Sequence, residues 1–82
     1  MTWAEDVQAA LKRLGGRAHL SAIYKDVRAA RTKGGRTVPP NLESAVRDAL
    51  ERHSSDSDLY DTKREDLFQM AEGKGAGIWA LR

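Results

Sequence analysis

"DLFQMAEGKGAGIWALR", residues 66–82, places two short β-favouring runs on either side of a segment with three glycines. A Walker-type phosphate loop needs a longer spacing that ends in Lys-Ser or Lys-Thr, and a dinucleotide-binding turn runs from a strand into a helix. Here the glycines lead into the strand-like run "GIWALR", so Gly73, Gly75 and Gly77 read as hairpin glycines with positive backbone angles. Lys74 then stands at a hairpin tip, where contact with a DNA phosphate and a plain solubilising role are both open. Trp79, between Ile78 and Ala80, reads as a core residue in preference to a base-stacking platform.

Upstream of the hairpin the apolar spacing is helical. Thr2-Trp-Ala-Glu5 fits a capping box, and Trp3, Val7, Ala10, Leu11 and Leu14 recur on one face, predicting a helix over about residues 3–14 that Gly15-Gly16 stops. "RAHL" follows as a short extended piece. Ser21 is the expected cap of a second helix with Ile23, Val27 and Ala30 on its apolar face and Tyr24 beside them, ending before Gly34-Gly35. "RTVPP" cannot lie inside a helix, because each proline lacks a donor and restricts its predecessor, but proline suits the residues just ahead of a helix start. Asn41 is the expected cap of a third helix, about residues 41–53, with Leu42, Ala45, Val46, Ala49 and Leu50 as its apolar stripe and Ser44, Arg47, Asp48 and Glu51 opposite. "HSSDSD" ends it. The order is helix, short strand, helix, helix, strand, glycine-rich tip, strand: an α+β chain forming one domain over residues 1–82.

A chain of 82 residues buries only about 60% of its unfolded surface, so the core must draw on nearly every element and a deep substrate cleft is not expected. The absence of cysteine removes disulfides and thiolate metal sites and suits a cytoplasmic protein. The apolar runs fall short of a membrane span, and the amino-terminal stretch is charged and periodic, unlike a signal peptide. Residues 1–40 carry eight Lys/Arg and three Asp/Glu, residues 41–82 six and nine. Within "YKDVRAARTKGGR" Lys25, Arg28, Arg31, Lys33 and Arg36 face the single acid Asp26, a cluster that attracts polyanions or forms a solvated helix face.

Asp56, Asp58 and Asp61 do not make an EF-hand loop, because Tyr60 and Asp61 occupy positions that need an oxygen ligand and a glycine. His19 and His53, far apart and without a ligand pattern, are expected in surface or capping roles. No nucleophile, base and orienting group come together, so neither catalytic residues nor a cofactor are expected. The third helix is the informative surface: Asn41, Ser44 and Arg47 project from the end by which a recognition helix meets phosphates and base edges, with Arg47 suited to guanine and Asn41 to adenine. The alternative is that Asn41 only caps and Arg47 pairs with Glu43 or Glu51 along the helix.

"LGGRAHLSAIYKDVR", "VPPNLESAVRDALERHSSDS" and "DLFQMAEGKGAGIWALR", taken in this order, resemble the winged helix-turn-helix domains of bacterial and phage proteins, over nearly the whole chain. Similar modules accompany nuclease domains of modification-dependent restriction proteins, and a looser resemblance extends to the DNA-reading domain of methyladenine-dependent restriction endonucleases. The resemblance implies binding of double-stranded DNA through the third helix and a wing at residues 73–77, reading of N6-methyladenine, and a nuclease domain in cis or in trans. Lys33, Arg36, Asn41, Ser44, Arg47 and Lys74 are the expected DNA-binding residues. No nuclease motif is present, so cleavage does not carry over, and the acids of the third helix oppose tight binding of unmodified DNA. Two further readings are a protein-interaction adaptor built on the same fold and a transcription regulator; the latter lacks a spare element for an effector site or dimerisation helix.

Overall fold

The computed structural model describes residues 2–82. Helix α1 (Trp3–Arg13) starts on the expected capping box: the Glu5 N–H donates to Thr2 Oγ1 at 3.2 Å and the Thr2 N–H to Glu5 Oε1 at 2.9 Å. Gly15 and Gly16, at φ 92° and 94°, end it in the left-handed region, and the Gly16 N–H returns to the Leu11 carbonyl at 2.7 Å. Strand β1 (Arg17–His19) leads directly into helix α2 (Leu20–Lys33). The expected Ser21 cap is replaced by His19, whose Nδ1 accepts the Ser21 N–H at 3.1 Å. A ring nitrogen two residues before Ser21 does the work expected of a hydroxyl, because β1 runs to the first residue of the helix. The capping role expected of the histidines is thus realised at His19.

Helix α3 (Leu42–Arg52) follows the Pro39-Pro40 turn, and strands β2 (Phe68–Met70) and β3 (Ile78–Leu81) complete an α+β chain of three helices and a three-stranded antiparallel sheet. The sheet order is β1-β3-β2, with Ala18 and Met70 both opposite Trp79 and Phe68 opposite Leu81. Partners across an antiparallel pair share a face, so these five apolar side chains turn together toward the helices. Residues 71–77 connect β2 to β3, with Gly73, Gly75 and Gly77 all at positive φ.

Val7, Leu11, Ile23, Leu42, Val46, Leu50 and Phe68 are fully buried and meet at the centre, joined by Val27 and Trp79. Each such aliphatic or phenyl side chain contributes roughly 1.5–3 kcal/mol on burial. Trp79 is 6% exposed, in agreement with its core assignment. Ala30 departs from the expected stripe: it is exposed, and the next residue, Arg31, turns inward instead. The cause is Asp6, a carboxylate only 5% exposed on α1. Arg31 Nη2 donates to it at 2.8 Å, and Arg36 Nη1 and Nη2 donate at 2.7 and 3.1 Å. Arg31 also donates through Nη1 to the Thr37 carbonyl at 2.9 Å and lies over the Trp3 ring at 3.8 Å. This cluster ties α1 to the segment that introduces α3. Arg82 fastens the irregular 53–67 segment, pairing with Asp66 and Asp56 and donating to the Phe68 carbonyl.

Candidate nucleic-acid interface

Helix α3 buries Leu42, Val46, Ala49 and Leu50 and leaves Glu43, Ser44, Arg47 and Asp48 exposed, the amphipathic division its spacing predicts except at Ala45 and Glu51, which are both half-buried. Asn41 precedes it at φ −93° and ψ 23°, outside the extended conformation of a capping residue, and its side chain makes no capping hydrogen bond. The expectation that Asn41 caps is therefore not met. The Pro39-Pro40 turn satisfies the first amide of the helix instead, the Pro39 carbonyl accepting the Leu42 N–H at 3.1 Å. Asn41 is exposed, and its amide has no partner among the described residues.

The expected site residues do not form one continuous patch. Asn41 and Ser44 border an open groove between α3 and the amino-terminal end of α1, together with Trp3, Arg31 and Arg52. Arg47 lies on the opposite flank of α3, beside Tyr24 of α2. Burial raises the Tyr24 phenol above its ordinary value; the Arg47 charge opposes this, and Glu43 and Glu51 add to it. No ion pair joins Arg47 to Glu43 or Glu51 among the described residues, so its intrahelical pairing is not what the structure adopts.

The basic cluster is divided by its partners. Arg36 is committed to Asp6, which draws it away from the role of a phosphate contact. Lys33 follows Tyr24 by nine residues, half a turn round the helix at about 100° per residue. It borders a shallow hollow with Arg13 and Asp26, on the side of α2 away from Tyr24 and Arg47. Lys74 is exposed and pairs with Asp58 at 3.0 Å, with side chains 62% and 90% accessible, an ion pair that solvent screens strongly. Lys25, Arg28, Lys33 and Arg47 have no ion-pair partner among the described residues.

Sequence reasoning passed over Arg52 and Trp3 as groove residues. Arg52 was within reach, since Asn41, Ser44, Asp48 and Arg52 recur at helical spacing down one stripe. Trp3 carried no such indication, because only the packing of α1 against α3 brings it there. Asp48 holds Arg52 at 2.7 Å, and this carboxylate raises the arginine above its ordinary value. Among the described residues no group of three or more His, Asp or Glu is placed to hold a metal ion, and no helix is long and apolar enough to cross a membrane. No family model, curated protein or solved structure matches the chain.

Proposed function

We propose that this chain is a winged helix-turn-helix domain that binds double-stranded DNA, with α3 in the major groove and the glycine-rich 71–77 hairpin as a wing over the backbone. Its setting is cytoplasmic and non-catalytic, as a reader of N6-methyladenine that serves a nuclease in a restriction or defence system of a bacterium or phage. One observation carries the reading: the Asn41 amide and the Arg47 guanidinium, on the two flanks of the exposed side of α3, are both uncommitted among the described residues. Such groups match the adenine and guanine edges respectively. Lys25 and Arg28 on the neighbouring helix, and Lys74 once it leaves Asp58, supply phosphate contacts.

Binding of unmodified, methyladenine and methylcytosine duplexes, measured across a range of salt concentrations, tests it. Salt-dependent binding with preference for the methyladenine duplex is the expected result. Salt-dependent binding without that preference retains DNA and removes methyl reading. The position of Lys33 away from α3 favours a second reading, a protein-interaction adaptor, and failure to bind any duplex would turn the assignment to it.

A further inference from the structure

We infer that α3 selects G·C base pairs, with Arg47 reading guanine and Glu43 reading the N4 amino group of cytosine, an inference that rests on the DNA-binding reading above. Glu43 and Arg47 are one turn apart, with the acid toward the helix start, the arrangement in which such a pair most readily closes. They do not close it among the described residues, and both side chains are exposed. The other two acids of this face differ. Asp48 is taken up by Arg52 at 2.7 Å, and Glu51 is half-buried. Glu43 is thus the acid of α3 that stands outward and uncommitted.

A carboxylate has only acceptor oxygens, so phosphates and the guanine O6/N7 edge repel it. Two bases present a donor in the major groove. Adenine sets its N6 amino group beside the N7 acceptor, which opposes a second carboxylate oxygen; cytosine presents N4 without a neighbouring acceptor, and is the better partner. The adjacent Arg47 has donors only and fits the O6/N7 pair of guanine. Four residues of helix advance by roughly 6 Å, against about 3.4 Å per base step, so the two contacts fall within about two base pairs of each other. Thymine at the Glu43 position offers O4 and a methyl group and is rejected, which makes the acid a source of specificity by exclusion.

The test is selection from a pool of duplexes with a randomised centre, using the wild-type chain, Glu43→Gln and Arg47→Ala, followed by anisotropy titrations on the enriched and single-substituted duplexes. Circular dichroism confirms that each variant is folded. Wild type should enrich cytosine and guanine within two positions of each other, with a preference of roughly 5- to 100-fold at each. Glu43→Gln should move the cytosine position to adenine, since a glutamine amide matches the N6/N7 edge, and Arg47→Ala should relax only the guanine position. If Glu43→Gln strengthens binding equally on all duplexes and changes no base preference, the acid is a repulsive charge and the inference falls while DNA binding stands. Wild-type binding without a cytosine preference overturns it in the same way. Binding to no duplex, methyladenine-containing ones included, removes the inference and the DNA reading together.

Discussion

Asp6 is held below the ordinary carboxylate range although burial alone would raise it, because hydrogen bonds and charge from Arg36 and Arg31 outweigh the burial. A carboxylate depressed in the folded state contributes stability that is complete above its ordinary value of 3.8 and is lost as pH falls through the lower folded value. Urea denaturation as a function of pH should therefore show an acid limb below about pH 4 that Asp6→Asn flattens. Asp6→Ala leaves the inward-turned Arg31 without its counter-charge and should cost roughly 3–5 kcal/mol. A loss below about 1 kcal/mol, the scale of an exposed pair, would show that the cluster does not hold α1 to the segment before α3. Arg31 Nε is buried without a partner among the described residues, so stacking on Trp3 and the Asp6 pair must offset an unmade hydrogen bond. Trp3→Leu is expected to destabilise the fold by removing the ring beneath the guanidinium.

At the scale of elements, α1 and α3 begin by different means and should respond differently to loss of their first polar side chain. Thr2→Ala breaks the capping box and should cost about 1 kcal/mol. Asn41→Ala should change thermal stability by no more than a few tenths of a kcal/mol, because the Asn41 amide caps nothing, yet should weaken binding to the preferred duplex. Equal destabilisation by the two would return Asn41 to a capping role. The hairpin offers a second contrast. Gly75 and Gly77 both have positive φ, but a Cβ on Gly75 meets open space, whereas one on Gly77 comes within 3.0 Å of His19 Nε2. The same His19 ring caps α2 through Nδ1. Gly77→Ala should therefore lower the melting temperature more than Gly75→Ala, since it adds displacement of the α2 cap to the backbone strain.

Over the whole molecule, the basic amino-terminal half and the acidic carboxy-terminal half meet at the Arg17–Glu72 pair, while Lys74 with Asp58, and Arg82 with Asp56 and Asp66, pair within the carboxy-terminal half. These pairs, with Asp6, consume much of the positive charge that composition suggests for a polyanion partner. Lys12, Lys25, Arg28, Lys33, Arg47 and Lys63 have no ion-pair partner among the described residues; of these Lys25 and Arg28 are the proposed phosphate contacts, with Lys74 available by displacement of an exposed carboxylate. About three phosphate contacts correspond to a log-log salt slope of about −3, and Lys74→Ala should reduce it by about one without altering sequence preference. A flat salt response would remove phosphate contact. A slope twice as steep would require further cations, Lys33 or the Arg31 and Arg36 of the Asp6 cluster, to reach phosphates.

The helix limits, the division of α3 into buried and exposed faces and the glycine hairpin were legible in the sequence, because each follows from the chain's local geometry. Thr2 with Glu5, Gly15-Gly16, Gly34-Gly35 and Pro39-Pro40 act on neighbours a few residues away, and the stripe from Leu42 to Leu50 repeats with the helical period. Partner choice was not legible. Asp6 meets residues 25 and 30 positions away, and Arg82 meets Ser55 at a separation of 27. Which cations a carboxylate finds at such distances depends on how α1, α2 and the sheet pack. The sequence alone therefore determined that α3 has a polar face and that a basic cluster precedes it. Only the tertiary structure decided that Arg31 turns inward and Arg36 is drawn to Asp6, that Lys33 faces away from α3, and that Asn41, Glu43 and Arg47 keep their polar groups uncommitted among the described residues.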